Sequence, residues 1–275
     1  YEANRPEQAV ILAAGPGMRM IPINTEVSKG MLEVKGEALV ERLIRQLKEV
    51  HIDKITLVVG FMKEQYDYLI DEYGVELVYN REYANKNNLY SLSLVKERLS
   101  NAYIMPCDIW CEKNPFSEEE LYSWYMVNDK LEEESTVRVN RKKELKLTRE
   151  EEKGNHMVGI AYVNAETAPK LAERLATCSS HRKYEHSFWE DAAMENGKMM
   201  FLPKEVSEDD VVEINTLEEL RNLDETSNHL NSELLQIAAD ALKCDLKEIT
   251  EIEALKKGMT NRSFRFHCRE KRYIM

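Results

Sequence analysis

The sequence of 275 residues has few cysteines, and they are scattered. Cys107, Cys111, Cys178, Cys244 and Cys268 form no C-x-x-C pair and show no zinc-like spacing with histidine. Their number and spacing argue against a zinc site and a disulfide framework, and favour free thiols in a reducing cytoplasm.

Long hydrophobic runs and an excess of positive charge are also missing. No apolar stretch approaches the roughly 20 residues that span a bilayer, and no signal-peptide pattern opens the chain. The formal net charge of -12 disfavours nonspecific binding to nucleic acid or to an anionic membrane surface. We expect a cytoplasmic protein with no nucleic-acid partner and no membrane insertion.

Strand and helix patterns alternate in the first part of the chain. They predict strands at 9–14, 54–59, 75–79 and 102–107, and helices at 38–50, 63–72 and 91–99. Such alternation predicts an α/β fold with a Rossmann-like, mostly parallel mixed sheet flanked by helices. Ligands of such sheets bind beyond the carboxyl ends of the strands.

The rest of the chain is less regular and contains a candidate domain boundary. Further helices are predicted at 118–134, 165–176, 187–195, 216–223 and 231–242, and strands at 136–140, 157–163, 199–202 and 211–214. A polar link surrounds Ser227, and the segment from Ala254 onward holds seven Lys or Arg residues against one Glu. We therefore predict one domain at 1–226 and a small α+β segment at 227–275.

A glycine turn follows the first strand. The run from Val10 to Met20 reads VILAAGPGMRM, and Lys29 follows one short loop later. Backbone N–H groups of a glycine turn can approach phosphate oxygens, and Arg19 and Lys29 can neutralise the remaining charge. The G-x-G-x-R pattern is neither a Walker A loop nor a dinucleotide fingerprint. It predicts a triphosphate site, although a G-x-G turn alone would be an ordinary strand–turn connection.

With Pro22 and Lys29, this motif resembles the nucleotidyltransferase family that joins NTPs to phosphorylated sugars or phosphocholine. Gly30 stands where the family has proline after the lysine, and the resemblance covers roughly residues 1–225. It implies the nucleotide-diphospho-sugar transferase type of fold, with Arg19, Lys29 and Asp108 as catalytic residues. The resemblance also implies nucleotide contacts from the opening motif, namely Leu12, Ala13, Ala14, Gly15, Gly17, Met18, Arg19 and Lys29.

Acidic residues at strand ends are the candidate magnesium ligands. Asp108 ends a buried strand, and the matching acid of the family binds Mg²⁺, a cation that prefers oxygen ligands. Asn215 stands where relatives commonly have a second aspartate, so Glu213 or Asp191 would supply more of the charge. Asn215 is equally suited to be the N-cap of the next helix.

Two further clusters suggest substrate contacts. Tyr83, Asn87, Asn88 and Ser91 resemble a segment that lines the nucleotide pocket in the phosphocholine and phosphonate branch of the family, and also suit a helix N-terminus. Trp110, Tyr184, Trp189 and Glu190 are candidates for holding a quaternary ammonium, which binds to aromatic faces and carboxylates. Each of these tryptophans could instead be a core residue.

The tail resembles the first hairpin of choline kinase-like phosphotransferases. Gly258, Thr260, Asn261 and Phe264 match the pattern G-x-[TS]-N-x-x-[FY]. The resemblance implies a C-terminal kinase domain whose catalytic part is not in this sequence, and we expect either end to be trimmed relative to the natural protein.

The favoured function is transfer of CMP from CTP to phosphocholine with Mg²⁺, giving CDP-choline and pyrophosphate. Alternative acceptors are a sugar 1-phosphate, phosphoethanolamine or 2-aminoethylphosphonate. A catalytically silent module that binds nucleotide and regulates the attached kinase is the alternative of another class, and a homodimer is left open.

Overall fold

The computed structural model describes residues 5–20, 22–255 and 263–275. The strands are β1 (Gln8–Ala13), β2 (Glu33–Val34), β3 (Glu37–Ala38), β4 (Lys54–Val59), β5 (Glu76–Tyr79), β6 (Ala102–Pro106), β7 (Ile109–Cys111), β8 (Trp124–Glu132), β9 (Val137–Val139), β10 (Leu145–Leu147), β11 (Gly154–Val163), β12 (Met194–Glu195), β13 (Lys198–Met199), β14 (Leu202–Val206), β15 (Val211–Glu213), β16 (Thr250–Ala254), β17 (Phe264–Cys268) and β18 (Lys271–Ile274). The α-helices are α1 (Leu39–Glu49), α2 (Tyr68–Tyr73), α3 (Asn88–Ser93), α4 (Ala168–Ser179), α5 (Glu190–Ala193), α6 (Leu217–Leu223) and α7 (Glu233–Leu242).

A seven-stranded sheet forms the centre of the fold, in the order β14-β8-β11-β6-β1-β4-β5. β11 pairs antiparallel with both of its neighbours, and the other neighbouring pairs are parallel. The predicted α/β fold with a mostly parallel mixed sheet and flanking helices is confirmed.

The apolar sequence of β1 explains its central place. Ala9, Ile11 and Ala13 belong to one buried cluster, and Val10 and Leu12 belong to another. Side chains alternate across a strand, so an uninterrupted apolar run fits a strand that is covered on both faces.

A third buried cluster joins residues 227–275 to the rest of the chain. Leu235 of α7 and Phe264 of β17 pack in one cluster with Met20 and Leu32, which flank the loop that carries Lys29. β16, β17 and β18 form a three-stranded antiparallel sheet in this region. The glycine, threonine and asparagine of the predicted kinase-like turn, at 258, 260 and 261, lie outside the described residues.

Several boundaries differ from the predictions, most clearly at 118–134. This segment was expected to be helical, but 124–132 is strand β8, with buried residues from Trp124 to Val127. β8 is a strand because it pairs with β11 and β14, which bury it and supply its backbone hydrogen bonds. Local periodicity in the sequence does not predict such pairing. The helix predicted at 187–195 is shortened to α5, and the one at 63–72 is divided into a 3₁₀ turn at Lys63–Tyr66 and α2. Within the described part of the chain, no helix is long and apolar enough to cross a membrane.

Candidate active site

A cavity of about 380 Å³ opens where β1 runs into the glycine turn. It lies at the carboxyl ends of the parallel strands, where ligands of α/β sheets bind. Ten of the predicted nucleotide, catalytic or metal residues line it: Leu12, Ala14, Gly15, Gly17, Lys29, Tyr83, Asn87, Asn88, Ser91 and Asp108. The structure therefore brings together three sequence segments, at 12–29, 83–91 and 108, that were predicted to share one nucleotide site.

Lys29 is the charged centre of this cavity. Its Nζ forms an ion pair with Asp108 Oδ2 and donates a hydrogen bond to Asn215 Oδ1 at 2.9 Å. Burial alone would lower the pKa of Lys29, but the Asp108 carboxylate outweighs that effect and the pKa is raised above its ordinary value. The lysine is therefore held as a cation, suited to bind phosphate oxygens.

Gly17 allows Lys29 to reach across the turn. Its φ of 59° is in the left-handed region, and an added Cβ would lie 2.6 Å from Lys29 Cγ. A glycine at this position is therefore required both by the backbone and by the lysine that passes over it.

Asp108 and Asn215 come together because two short strands pair. β7 and β15 are antiparallel, and the Ile214 amide donates to the Asp108 carbonyl at 2.8 Å. Thr216, rather than Asn215, caps α6: its side chain accepts from the Glu219 amide, and Glu219 completes a capping box. The side-chain oxygen of Asn215 accepts from Lys29 instead, so the alternative N-cap interpretation of Asn215 is wrong.

The acid Glu213 lies beside this centre and is paired with a histidine. His156 Nδ1 is 2.9 Å from Glu132 Oε1, and its Nε2 is 3.5 Å from Glu213 Oε2. Burial would raise the pKa of Glu213, but contacts with His156, Asn215 and Lys29 lower it overall. Glu213 is therefore held as a carboxylate near Lys29.

The donor atoms at this centre fit a magnesium ion that keeps part of its water shell. Asp108 Oδ1 is enclosed and has no hydrogen-bond partner among the described residues. Asp108 Oδ2 and Asn215 Oδ1 both face the Lys29 ammonium. Mg²⁺ usually binds through one or two carboxylates together with substrate phosphates, which this set matches. No group of three or more His, Cys, Asp or Glu side chains suited to a metal occurs in the described part of the chain. Asp191, the fourth predicted ligand, is exposed on α5 and does not line the cavity.

The predicted nucleotide contacts Tyr83, Asn87, Asn88 and Ser91 form the nucleotide cluster. Hydrogen bonds within the protein leave mainly donor groups of this cluster available to a ligand. Asn87 caps α3 through its Oδ1 and donates from Nδ2 to the His186 carbonyl, so both of its polar atoms are used. Asn88 Oδ1 accepts from the Trp189 amide at 2.7 Å, and Ser91 Oγ accepts from Asn80 Nδ2 at 2.9 Å. The Asn88 amide nitrogen and the Ser91 hydroxyl can still donate.

The aromatic candidates for an ammonium cage do not line this cavity. Trp110 is buried in the third cluster, with the Arg42 guanidinium 3.8 Å from its ring centre. Trp189 is 1% exposed and packs against Tyr125 and Phe201. Both side chains thus have the packing of core residues.

Tyr184 and Glu190 are also outside the cavity. Tyr184 lines a separate depression along α4. Glu190 accepts a hydrogen bond from the Tyr125 hydroxyl at 2.9 Å, and its Oε2 is enclosed without a partner in the described chain. Burial raises the pKa of Glu190 to about 7.

Three residues of the opening motif, Ala13, Met18 and Arg19, do not line the cavity. Ala13 is buried in the core, Met18 is exposed, and Arg19 is exposed without an ion-pair partner among the described residues. Arg19 does not line the cavity, and its contact with a ligand stays a prediction.

Sequence reasoning missed several residues of the cavity wall: Pro16, Ala84, Asn85, Lys86, Pro106, Cys107 and His186. Cys107 precedes Asp108, and burial raises the pKa of its thiol to about 12, so it is a neutral wall residue rather than a nucleophile. Gly60 was missed too. An added Cβ there would lie 2.5 Å from Tyr83 Cβ. The glycine after β4 therefore allows Tyr83 to pack closely against the backbone.

Comparisons with known proteins identify relatives of the whole first part of the chain. The model for the MobA-like NTP transferase domain matches residues 9–122. The choline-phosphate cytidylyltransferase of Streptococcus pneumoniae is 32% identical over 228 residues, which cover 82% of this chain and 100% of the relative. The 2-aminoethylphosphonate cytidylyltransferase of Lancefieldella rimae is 29% identical over 66% of this chain and 77% of its own length.

Solved structures agree with this relationship. The CTP:phosphocholine cytidylyltransferase structure from Streptococcus pneumoniae matches with a TM-score of 0.72 and 30% identity, over 80% of this chain and 98% of that one. The inositol-1-phosphate CTP transferase of T. maritima, 19% identical with a TM-score of 0.59 over 79% of this chain and 91% of its own, shares the fold. This chain belongs to the choline-phosphate cytidylyltransferase family of nucleotidyltransferases.

Proposed function

We propose that this chain transfers CMP from CTP to phosphocholine, producing CDP-choline and pyrophosphate. The observation that carries the proposal is the convergence of Lys29, Asp108 and Asn215 beside the glycine turn. Family membership supports the reaction type, and the Streptococcus pneumoniae relative supports phosphocholine as the acceptor.

The reaction is a direct displacement at phosphorus. A phosphate oxygen of phosphocholine attacks the α-phosphorus of CTP, and the bond from that phosphorus to the bridging oxygen breaks as pyrophosphate leaves. Lys29 binds the reacting phosphates, and the exposed Arg19 steadies the leaving group together with amides of Gly15 and Gly17. Such a reaction is accelerated mainly by positioning and by charge neutralisation.

Asp108 and Asn215 would hold Mg²⁺, with Glu213 adding negative charge nearby. When bound, the ion neutralises phosphate charge and orients the phosphate oxygens. The enclosed, unpartnered Asp108 Oδ1 supports this assignment.

Cytosine fits the donors that the nucleotide cluster leaves free. The Asn88 amide nitrogen and the Ser91 hydroxyl match two adjacent acceptors, O2 and N3 of cytosine, whereas N3 of uracil carries a proton. CTP is therefore preferred over UTP.

The acceptor is the less constrained substrate because Trp110 and Trp189 are packed in the core. The relative from Lancefieldella rimae makes 2-aminoethylphosphonate the second candidate acceptor.

Pyrophosphate release should be measured for CTP and UTP with phosphocholine, phosphoethanolamine, 2-aminoethylphosphonate and glucose 1-phosphate. The highest kcat/KM is expected for CTP with phosphocholine, and a higher value for another acceptor would reassign the substrate.

Lys29→Ala tests the mechanism. We expect kcat to fall by about 100-fold or more, because a preorganised charge near the reacting phosphates is lost. Lys54→Ala is the matched control, since Lys54 is exposed at the opposite end of β4. Wild-type turnover in Lys29→Ala would contradict the assigned role.

Residues 227–275 are the beginning of a choline kinase-like domain in this proposal, and the enzyme works in the cytoplasm. The antiparallel sheet of β16, β17 and β18 supports the first point, and the unpaired cysteines support the second. A kinase would supply phosphocholine to the adjacent transferase.

A further inference from the structure

The residues on either side of Lys29, Ser28 and Gly30, contact a neighbouring segment of the chain. Ser28 is 2% exposed, and both its amide and its hydroxyl donate to Gln65 Oε1, at 2.9 and 3.1 Å. Gln65 Nε2 donates to the Glu26 carbonyl at 3.0 Å. One glutamine side chain thus satisfies three polar groups of the loop before Lys29.

Gly30, the residue after Lys29, packs against Tyr66, the residue after Gln65. Tyr66 is fully buried, and a Cβ added at Gly30 would lie 2.8 Å from its hydroxyl oxygen and 3.1 Å from Cys107 Cβ. Gly30 therefore packs directly against Tyr66, where the family pattern has proline. The 3₁₀ turn at Lys63–Tyr66 contacts the lysine loop on both sides of Lys29.

We propose that Gln65 is a positioning residue that holds the backbone of Ser28 so that the Lys29 ammonium reaches the reacting phosphates. The inference rests on the proposed function of Lys29. Gln65 does not line the cavity, so its effect passes through Lys29 rather than through substrate contact.

The chemistry of the contact explains why a glutamine is needed. A buried N–H and a buried O–H both need an acceptor, and the Glu26 carbonyl needs a donor, which only an amide side chain provides together. An apolar side chain of similar length would leave the buried Ser28 amide without its acceptor, and the loop would shift to find water. A displacement of the lysine by about 1 Å is enough to cost up to about 100-fold in rate.

The test compares Gln65→Met with Gln46→Met. Gln46 is buried, and like Gln65 it donates from Nε2 to a backbone carbonyl, that of Cys111, at 3.1 Å. We expect Gln65→Met to lower kcat about 10- to 100-fold with a smaller change in KM for CTP, and Gln46→Met to lower only thermal stability. Gln65→Glu keeps the acceptor for Ser28 and should recover part of the loss.

A double-variant cycle separates positioning from general damage. In a Lys29→Met background, followed with radiolabelled CTP at high enzyme concentration, Gln65→Met should change turnover less than about twofold. Equal losses in both backgrounds, or an equal loss in Gln46→Met, would overturn the inference. If Gln65→Met does not fold, Gln65→Glu and Ser28→Ala are compared in the same cycle, and additive losses there would also overturn it.

Failure of this inference and failure of the proposed function give different results. An inactive wild-type protein with every acceptor contradicts the proposed function. An active wild type that loses activity in Lys29→Ala but not in Gln65→Met contradicts the positioning role alone.

Discussion

At the scale of single residues, the site depends on the path of the Lys29 side chain. It crosses Gly17, pairs with Asp108 and reaches Asn215, three residues far apart in sequence. Gly17 has no side chain to obstruct the lysine, and Asp108 and Asn215 each present an oxygen to its ammonium group. Substitutions here should therefore affect turnover more than stability.

Gly17→Ala is expected to lower kcat at least about tenfold, because the new Cβ would overlap Lys29 and displace the ammonium. Gly74→Ala is the control: Gly74 has a φ of 69° but no atom within 4 Å of an added Cβ. Both variants should lose about 1 kcal/mol of stability from left-handed strain, measured by denaturant unfolding. Equal turnover in the two variants would contradict the steric argument.

Glu190 should make stability depend on pH. Burial raises the pKa of its carboxyl to about 7, above the ordinary 4.5, so the folded state binds the proton more tightly than the unfolded state. The folded state is then increasingly penalised as pH rises from about 4.5 to about 7. Thermal unfolding of Glu190→Gln should show a gain over the wild type at pH 8 and none at pH 4. A pH-independent difference would contradict this account.

At the scale of elements, the strand–turn–helix units explain which predictions succeeded. β4 was predicted with its observed bounds, since an apolar, β-branched run that ends at a glycine is typical of a buried strand. β8 was mistaken for a helix because its partners β11 and β14 follow much later in the chain. The same non-local pairing of β7 with β15 brings Asp108 to Asn215.

Thr216→Ala tests an element boundary next to the site. The threonine side chain accepts from the Glu219 amide at 3.3 Å as the cap of α6. Its loss should cost about 1 kcal/mol in the free energy of unfolding. Thr216→Ser, which keeps the hydroxyl, is the control, and equal losses in both variants would show that the methyl group matters instead of the cap.

At the scale of the whole molecule, the C-terminal segment packs against the segments that flank Lys29. Leu235 shares a buried cluster with Met20 and Leu32, and Glu26 accepts hydrogen bonds from the Ser232 hydroxyl and the Glu233 amide. The start of α7 is thus tied to the same loop that Gln65 holds. We expect the two parts of the chain to unfold together.

Leu235→Ala should cost about 2–5 kcal/mol and lower the melting temperature of the whole chain in one transition. Ile237→Ala on the same helix is the control, since Ile237 is 49% exposed. Calorimetry distinguishes the outcomes. A separate early transition in Leu235→Ala, with the main one unchanged, would show that 227–275 folds independently.

The sequence by itself determined the central strand and the glycine turn with its lysine, and the reaction class came from the resemblance of that motif to a family. Those features are local: an apolar run, a G-x-G-x-R turn and a nearby lysine are contiguous in the chain. Only the tertiary structure decided which side chains meet. It placed Asn215 on Lys29 instead of at the helix cap, packed Trp110 and Trp189 away from the cavity, and brought Gln65 to Ser28. The physical reason is that strand pairing and burial are long-range, and the same residue types could satisfy either role until the whole chain had packed.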